Sequence, residues 1–242
     1  MEVNPYLANN RDAWLRKPVL REIYADIYRR VVAQLVPGLT IEVGGGTGNF
    51  KDFAPDVLSS DILKAPWLDF VADGTALPLA KGRVDNLVII DALHHMSCPR
   101  RAFSEAERVL RPGGRLIVTE PVITPGSWLF YKLHPESFSM AADPFEEVKR
   151  DPEAPYDANQ AIATLFFVRH EKRFREVFTT LRRLDRRWFR FFLYPMSGIF
   201  RPWTLTPHWA MRPLMKVEDI LTPLLGRLLS FRILVVFEKE AG

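Results

Sequence analysis

Five acids and two adjacent histidines are the groups in this chain best suited to chemistry. Glu42, Asp61, Asp73, Asp91 and Glu120 each close or follow a short apolar run, and His94-His95 come just after Asp91. An imidazole has the right ordinary pKa to take up a proton near neutrality, so His95 and His94 are candidate general bases. Glu120 is a third candidate, and His134 a further one. Between Val43 and Phe50 the chain reads Gly44-Gly45-Gly46-Thr47-Gly48-Asn49. Such a loop lacks the Cβ atoms that keep a ligand off the backbone, and it permits positive φ. Its bare N–H groups attract anionic or electron-rich groups. Asp61 follows about 20 residues later, where a carboxylate ending a strand can accept both hydroxyls of a ribose. A dinucleotide fingerprint would need glycine where Asn49 stands. No His, Cys and acid set has metal-ligand spacing, so no metal is expected.

The elements that must carry these groups alternate. Val19 to Leu35 is apolar in steps of about four and reads as an amphipathic helix, stopped by Pro37-Gly38. Strands are expected at 39–43, 57–62 and 68–72, at Val84–Ile90 and at Arg115–Glu120. A helix is expected straight after the glycine loop, and another across Phe103, Ala106, Val109 and Leu110, ended by Arg111-Pro112-Gly113-Gly114. The β-α-β-α order calls for an open parallel sheet with helices on both faces. Ligand atoms then collect at the carboxyl ends of the strands, where the five acids lie. Only Leu63 to Trp67 separate the second and third strands, too few residues for a crossover helix, so that edge of the site should be open or covered by something else. Beyond Pro121 come an aromatic segment (127–136), an acidic, proline-broken stretch to Ala161, a helix over 160–178 and a strand over 181–194. An irregular stretch (194–213) follows. The chain closes with a helix carrying Val217, Ile220, Leu221, Leu224, Leu225, Leu228 and Leu229 on its apolar face, then a strand over 231–239.

The spacing E-x-G-x-G-x-G from Glu42 to Gly48 resembles motif I of the Rossmann-like (class I) methyltransferases that use S-adenosylmethionine (SAM), of the type-11-like group. Asp73-Gly74-Thr75-Ala76-Leu77-Pro78 resembles that family's D-A-x-x-L-P segment, with glycine for alanine. E-A-E-R-V-L-R-P-G-G (105–114) resembles its helix and turn before the fifth strand. The resemblance implies a single α/β domain: a doubly wound, mostly parallel seven-stranded sheet with an antiparallel last strand, helices on both faces and a substrate cap in the C-terminal half. The divisions are an N-terminal helical segment (1–37), a SAM-binding core (38–121), a variable cap (122–216) and a final helix and strand (217–242). It also implies SAM as cofactor, S-adenosylhomocysteine as product, and contacts to it from Glu42, Gly44, Gly45, Gly46, Gly48, Asp61, Ile62, Asp73, Gly74, Asp91 and Ala92. S-D-I-x-x-x-P-W (60–67), L-H-H (93–95) and the aromatic Y-K-x-H-x-E segment (131–136) resemble members associated with glycan or lipid-linked saccharide biosynthesis. Asp91 is followed by Ala-Leu-His and not by the D-P-P-Y-like tetrad of amino-methylating DNA enzymes. The activity expected is methyl transfer, with oxygen as the expected acceptor atom, to a small-molecule, glycan or lipid-linked acceptor.

The whole chain, 242 residues with net charge +4 and 48% hydrophobic, can bury a substantial core. Its one cysteine, Cys98, rules out an internal disulfide framework. Met1 to Asn10 lacks the apolar core of a signal peptide, and no apolar run approaches the ~18 residues of a membrane span; a cytoplasmic location is expected, with a peripheral position on the inner face of a membrane as an extension of it. Charge is concentrated at 169–216, where twelve Lys/Arg meet three acids. Solvated faces, a phosphate-bearing substrate, and RNA or an anionic membrane all fit such a stretch, and the accompanying aromatics suit an amphipathic ligand as well as RNA. An RNA methyltransferase using this stretch and a catalytically silent SAM-binding scaffold are the alternatives.

Overall fold

A computed structural model describes residues 3–148 and 157–241. Residues 149–156 of the acidic stretch lie outside them. Two helices begin the chain, α1 (Pro5–Arg16) and α2 (Pro18–Val32). The break is set by Pro18: the residue before a proline is pushed out of the helical region, and Lys17 is extended at φ −111° and ψ 96°. Asn4 caps α1 by accepting from the Tyr6 N–H at 2.9 Å.

Strands β1 (Thr40–Val43), β2 (Leu58–Asp61), β3 (Phe70–Val71) and β4 (Val84–Ile90) follow, then α3 (Pro99–Val109) and β5 (Leu110–Pro121). Short helices α4 (Trp128–Leu133), α5 (Ile162–Thr164) and α6 (Glu171–Val177) precede β6 (Leu181–Phe189). Helices α7 (Leu193–Met196) and α8 (His208–Leu229) lead to β7 (Arg232–Lys239). The seven strands lie in the order β3-β2-β1-β4-β5-β7-β6, with β7 antiparallel to both neighbours. This is the expected doubly wound sheet, and the order reverses between β1 and β4, where such sheets hold ligands.

Side chains alternate between two buried faces. On β4, Leu87 and Ile89 join Phe103 of α3 and Phe166, Phe174 and Phe178, whereas Val88 and Ile90 join Tyr24 and Tyr28 of α2. On β7, Val235 and Phe237 take the first face, Leu234 and Val236 the second. The Phe103 ring meets those of Phe166 and Phe174 edge to face at 5.0 and 4.9 Å.

Several sequence expectations give way. The glycine loop leads only into a single turn at Asn49–Asp52, not a helix; Pro55 follows too soon for a helix to extend. The helix expected over 160–178 is interrupted by a wide turn at Leu165–Arg169 that places Phe166 and Phe167 in the core. The expected strand to Tyr194 stops at Phe189, because Arg190 takes φ +53° and turns inward. Residues 208–213 are helical despite Pro213. β6 pairs antiparallel with β7 in the sheet, in keeping with the strands expected over 181–194 and 231–239.

The orientation of α8 also differs from expectation. It buries Ala210, Met211, Met215, Glu218 and Gly226, while Val217, Ile220, Leu224 and Leu228 face outward. Two contacts dictate this. A Cβ on Gly226 would stand 3.2 Å from the Trp188 Cβ, so the helix sits close there. Glu218 accepts from the Leu193 N–H at 3.0 Å and from Arg190.

Arg190 itself is fully buried and donates to Asp26, Glu218, Asp219 and the Met215 carbonyl. Removing one partner of such a network strands the others in low dielectric. Arg190→Ala is expected to cost about 3–5 kcal/mol in urea unfolding, far more than alanine at the exposed Arg187.

Candidate functional site

One cavity of about 800 Å³ opens at the strand tips, lined by residues from the N-terminal segment, the glycine loop, the ends of β2 and β4, and the 130–136 and 194–203 segments. This is ample for a nucleoside-sized ligand beside an acceptor. Glu42, Gly44, Gly45, Gly46, Asp61, Ile62, Asp73, Gly74, Asp91, Ala92, His94, His95 and His134 all line it. Glu120 and Gly48 do not appear on its wall.

At one end, the glycine loop is shaped by two approaches. Gly44 has φ +75°, and a Cβ there would lie 2.2 Å from that of Ala92. Gly46 has φ +45°, and its added Cβ would meet nothing closer than Leu7 at 3.8 Å, so its backbone is bare toward the cavity. The Asp61 carboxylate accepts from the Gly46 N–H and the Leu63 N–H, each at 2.9 Å. Burial holds its pKa above the ordinary value. Glu42 is deeper, pushed up to about 7 by burial while the Ser59 hydroxyl donates to it at 2.5 Å. Asp73 is exposed and accepts from the Thr75 N–H at 2.8 Å. An adenosyl group fits this end by chemistry: bare backbone, a ribose-ready carboxylate at Asp61, and the exposed Ile62 beside it.

The missing helix between β2 and β3 is replaced by two features. Trp67 folds over the loop and donates from Nε1 to the Gly46 carbonyl at 2.8 Å. The Arg11 guanidinium of α1 stacks on the Trp67 ring at 4.5 Å and donates to the Thr47 carbonyl. Sequence reasoning missed this cover. The signal available was the short P-W link together with an N-terminal segment carrying Arg11 and polar residues.

At the centre of the cavity, charges interlock. Asp91 adopts φ +54° and is paired with the buried Arg232 of β7, while the Tyr24 hydroxyl donates to it at 2.9 Å. Arg232 was missed too, though an arginine inside the apolar run 231–237 marks it. Glu120, fully buried, accepts from the Ala92 and Leu93 N–H groups at 2.9 and 2.7 Å and from His94 Nδ1 at 2.5 Å. It therefore stands behind the wall, holding the turn that presents the histidines. His94 Nε2 lies 3.5 Å from Glu136. Burial alone would lower the His94 pKa, but Glu120 and Glu136 reverse this and lift it to about 10. Both His94 nitrogens face carboxylates, Nδ1 toward Glu120 and Nε2 toward Glu136, so the ring is held between the two. His95 remains on the cavity wall, its Nε2 3.9 Å from Glu136. Burial would raise Glu136, yet His94, His95 and His134 bring it down to about 2. Burial holds His134 below its ordinary value.

Glu136 joins the two histidines in space. His94, His95 and Glu136 offer three ligand atoms within 4.8 Å of one another, a set that spacing in the chain does not reveal because Glu136 lies some 40 residues away.

The sheet order and its covering helices give an α/β fold that solved SAM-dependent methyltransferases share. Residues 41–118 match the family described as a methyltransferase domain. The demethylmenaquinone methyltransferase of Renibacterium salmoninarum is 36% identical over 111 residues, 38% of this chain and 47% of that one. The corresponding enzyme of Paenarthrobacter aurescens is 34% identical over 110 residues, 41% and 44% of the two chains. The chain thus spans less than half the length of these curated relatives. Among solved structures, a SAM-dependent methyltransferase from Thermotoga maritima superposes with a TM-score of 0.59 at 16% identity, covering 97% of each chain.

The sign of the charge network sets its pH dependence. A raised histidine stabilises fully below its unfolded value of 6.5 and loses this as pH climbs through about 10. A depressed glutamate stabilises fully above its unfolded value of 4.5 and loses this as pH falls through about 2. The stability difference between the native chain and His94→Gln should be widest between about pH 4.5 and 6.5 and shrink toward pH 10, as read from urea midpoints across pH.

Proposed function

We propose that the chain is a SAM-dependent methyltransferase whose acceptor carries an ionisable hydroxyl on an amphipathic body, and that His95 is its general base. The single observation behind this reading is one continuous cavity. It joins the glycine loop and Asp61 to a histidine–glutamate wall, with Phe130, Phe200 and Trp203 also on its lining. SAM would supply an activated methyl group. Asp61 and the Gly46 backbone would hold its adenosyl part, with Asp73 and Ile62 toward the base. Alignment of acceptor and methyl in such a cleft is worth roughly 7–11 kcal/mol in favourable cases.

The chain's own residues divide the remaining work. His95 Nε2 would take the acceptor's hydroxyl proton, leaving the oxygen, or a ring carbon conjugated to it, nucleophilic toward the methyl group. A methylated ring carbon would then release its own hydrogen as a proton to restore the ring. Glu136 faces the imidazolium so formed, while Glu120 and His94 keep the Leu93–His95 turn in place. The names of the curated relatives bring a quinone-type acceptor and carbon methylation into consideration beside oxygen methylation of a lipid-linked saccharide. Both acceptors have a polar head to meet His95 and an apolar part to meet the aromatic lining.

The RNA reading loses support from the ion pairs. Arg173 pairs with Asp143, Arg182 with Glu238, Arg183 and Arg186 with Glu171, Arg187 with Asp185 and Arg212 with Glu22, and Arg190 is buried. A silent scaffold would bind SAM without turnover.

In calorimetric titration, Asp61→Ala should weaken SAM binding by about tenfold or more for each charge-assisted hydrogen bond lost, and Gly46→Arg should abolish it. A native chain that ignores both SAM and S-adenosylhomocysteine refutes the proposal. With a quinol or lipid-linked saccharide as acceptor, His95→Ala should lower kcat by about 10²- to 10⁴-fold and leave SAM affinity unchanged.

A further inference from the structure

We infer that the outward face of α8, together with α4, is a docking surface for an anionic lipid bilayer, and that it brings the cavity mouth to the membrane. The helix is amphipathic twice over. Its inner face seals the core through Met211, Met215 and Gly226. Its outer face carries Trp209, Val217, Ile220, Leu224 and Leu228 at helical spacing, and these are among the most exposed large apolar residues of the chain. Trp209 is 81% exposed, Ile220 77% and Leu224 79%. Isolated exposed apolar residues need no explanation, but a contiguous stripe marks an interaction site. No helix among the described residues is long and apolar enough to cross a membrane, so the stripe suits lying on a surface rather than spanning one.

Charge selects the occupant. Lys216 and Arg227 border the stripe, and α4 adds Lys132, whose ammonium sits 4.7 Å from the Trp128 ring. Among the described residues, the only acid exposed on α4 or α8 is Asp219, and it is tied to Arg30 and Arg190. In a two-fold dimer formed through this face, the same cations would confront one another. An anionic headgroup layer satisfies them, attracts each Lys or Arg, and accepts tryptophan rings at its boundary.

The face also leads to the site. The Gly126 N–H donates to the Leu228 carbonyl at 2.8 Å, so the segment entering α4 sits on the C-terminal end of α8. From there α4 presents Leu129 and Leu133 to solvent, and Leu133, 78% exposed, also lines the cavity. Apolar surface therefore connects α8 with the mouth, which is the route a lipid-borne acceptor needs to enter without crossing water.

The inference deepens the amphipathic-acceptor reading and rests on it for its purpose, but docking is measured without acceptor or SAM. The chain is sedimented with vesicles of phosphatidylcholine alone and of phosphatidylcholine with phosphatidylglycerol, beside the double variants Ile220→Glu/Leu224→Glu and Lys216→Glu/Arg227→Glu. Calorimetry with SAM shows that each variant keeps its fold and cofactor site, and light scattering reports its mass. The native chain should bind the anionic vesicles and not the neutral ones, in a salt-sensitive way. Each double variant should bind at least about tenfold less with SAM affinity retained. No binding to anionic vesicles overturns the inference, as does binding that neither variant weakens. A native dimer that Ile220→Glu/Leu224→Glu converts to monomer, without vesicle binding, assigns the face to a second copy and equally overturns it. Loss of SAM binding by the native chain would refute the methyltransferase reading instead, and would leave the vesicle result standing.

Discussion

The carboxylate of Glu120 is the group around which the site is built. It is cut off from solvent at the end of β5, where an ionised oxygen without partners is prohibitively costly. Two backbone N–H groups and the His94 ring meet that need. Satisfying it forces the chain beyond β4 into a tight turn, with Asp91 at positive φ and His94 directed inward. His95, next in the chain, is thereby turned toward the cavity. One buried acid so specifies the backbone that runs between the glycine-loop end of the cavity and its histidine wall.

The charges around it form a closed arrangement rather than a gradient. His94 is held between Glu120 and Glu136, and Asp91 between Arg232 and Tyr24. Each acid depends on a cation from a different part of the chain, and each cation on acids it does not neighbour in sequence. Such networks orient side chains when complete and are costly when broken. Position also differs within the set: Glu120 lies behind the wall with His94 against it, while His95 and Glu136 line the cavity itself.

The same logic of position over type applies to the basic stretch and to α8. Arginines that look like a polyanion-binding run are mostly consumed by neighbouring acids, and Arg190 disappears into the core to join α2, α8 and the end of β6. That burial anchors α8 through Glu218 and Asp219, and with Gly226 against Trp188 it leaves the most apolar side of the helix facing out. A surface is created there because the inner side is already occupied by a polar anchor.

Much was legible from residue order alone. Local hydrophobic period and glycine or proline punctuation specify β1, β4, α3, the final strand and the loop at 44–48, because strand and turn preferences act within a few residues. The acids at strand ends, and the absence of a helix between β2 and β3, follow from counting residues against what a crossover requires. The rest depended on distance in space. That Glu136 joins the histidines, that Arg11 and Trp67 cover the glycine loop, that Arg232 meets Asp91, and that the outer stripe of α8 is the one left exposed are all outcomes of long-range pairing. Periodicity reports that a helix has an apolar side but not which side the core will take, and side-chain chemistry reports that an acid needs a partner but not which one. Those choices are made by packing and by the cost of stranding charge inside, and only the assembled fold decides them.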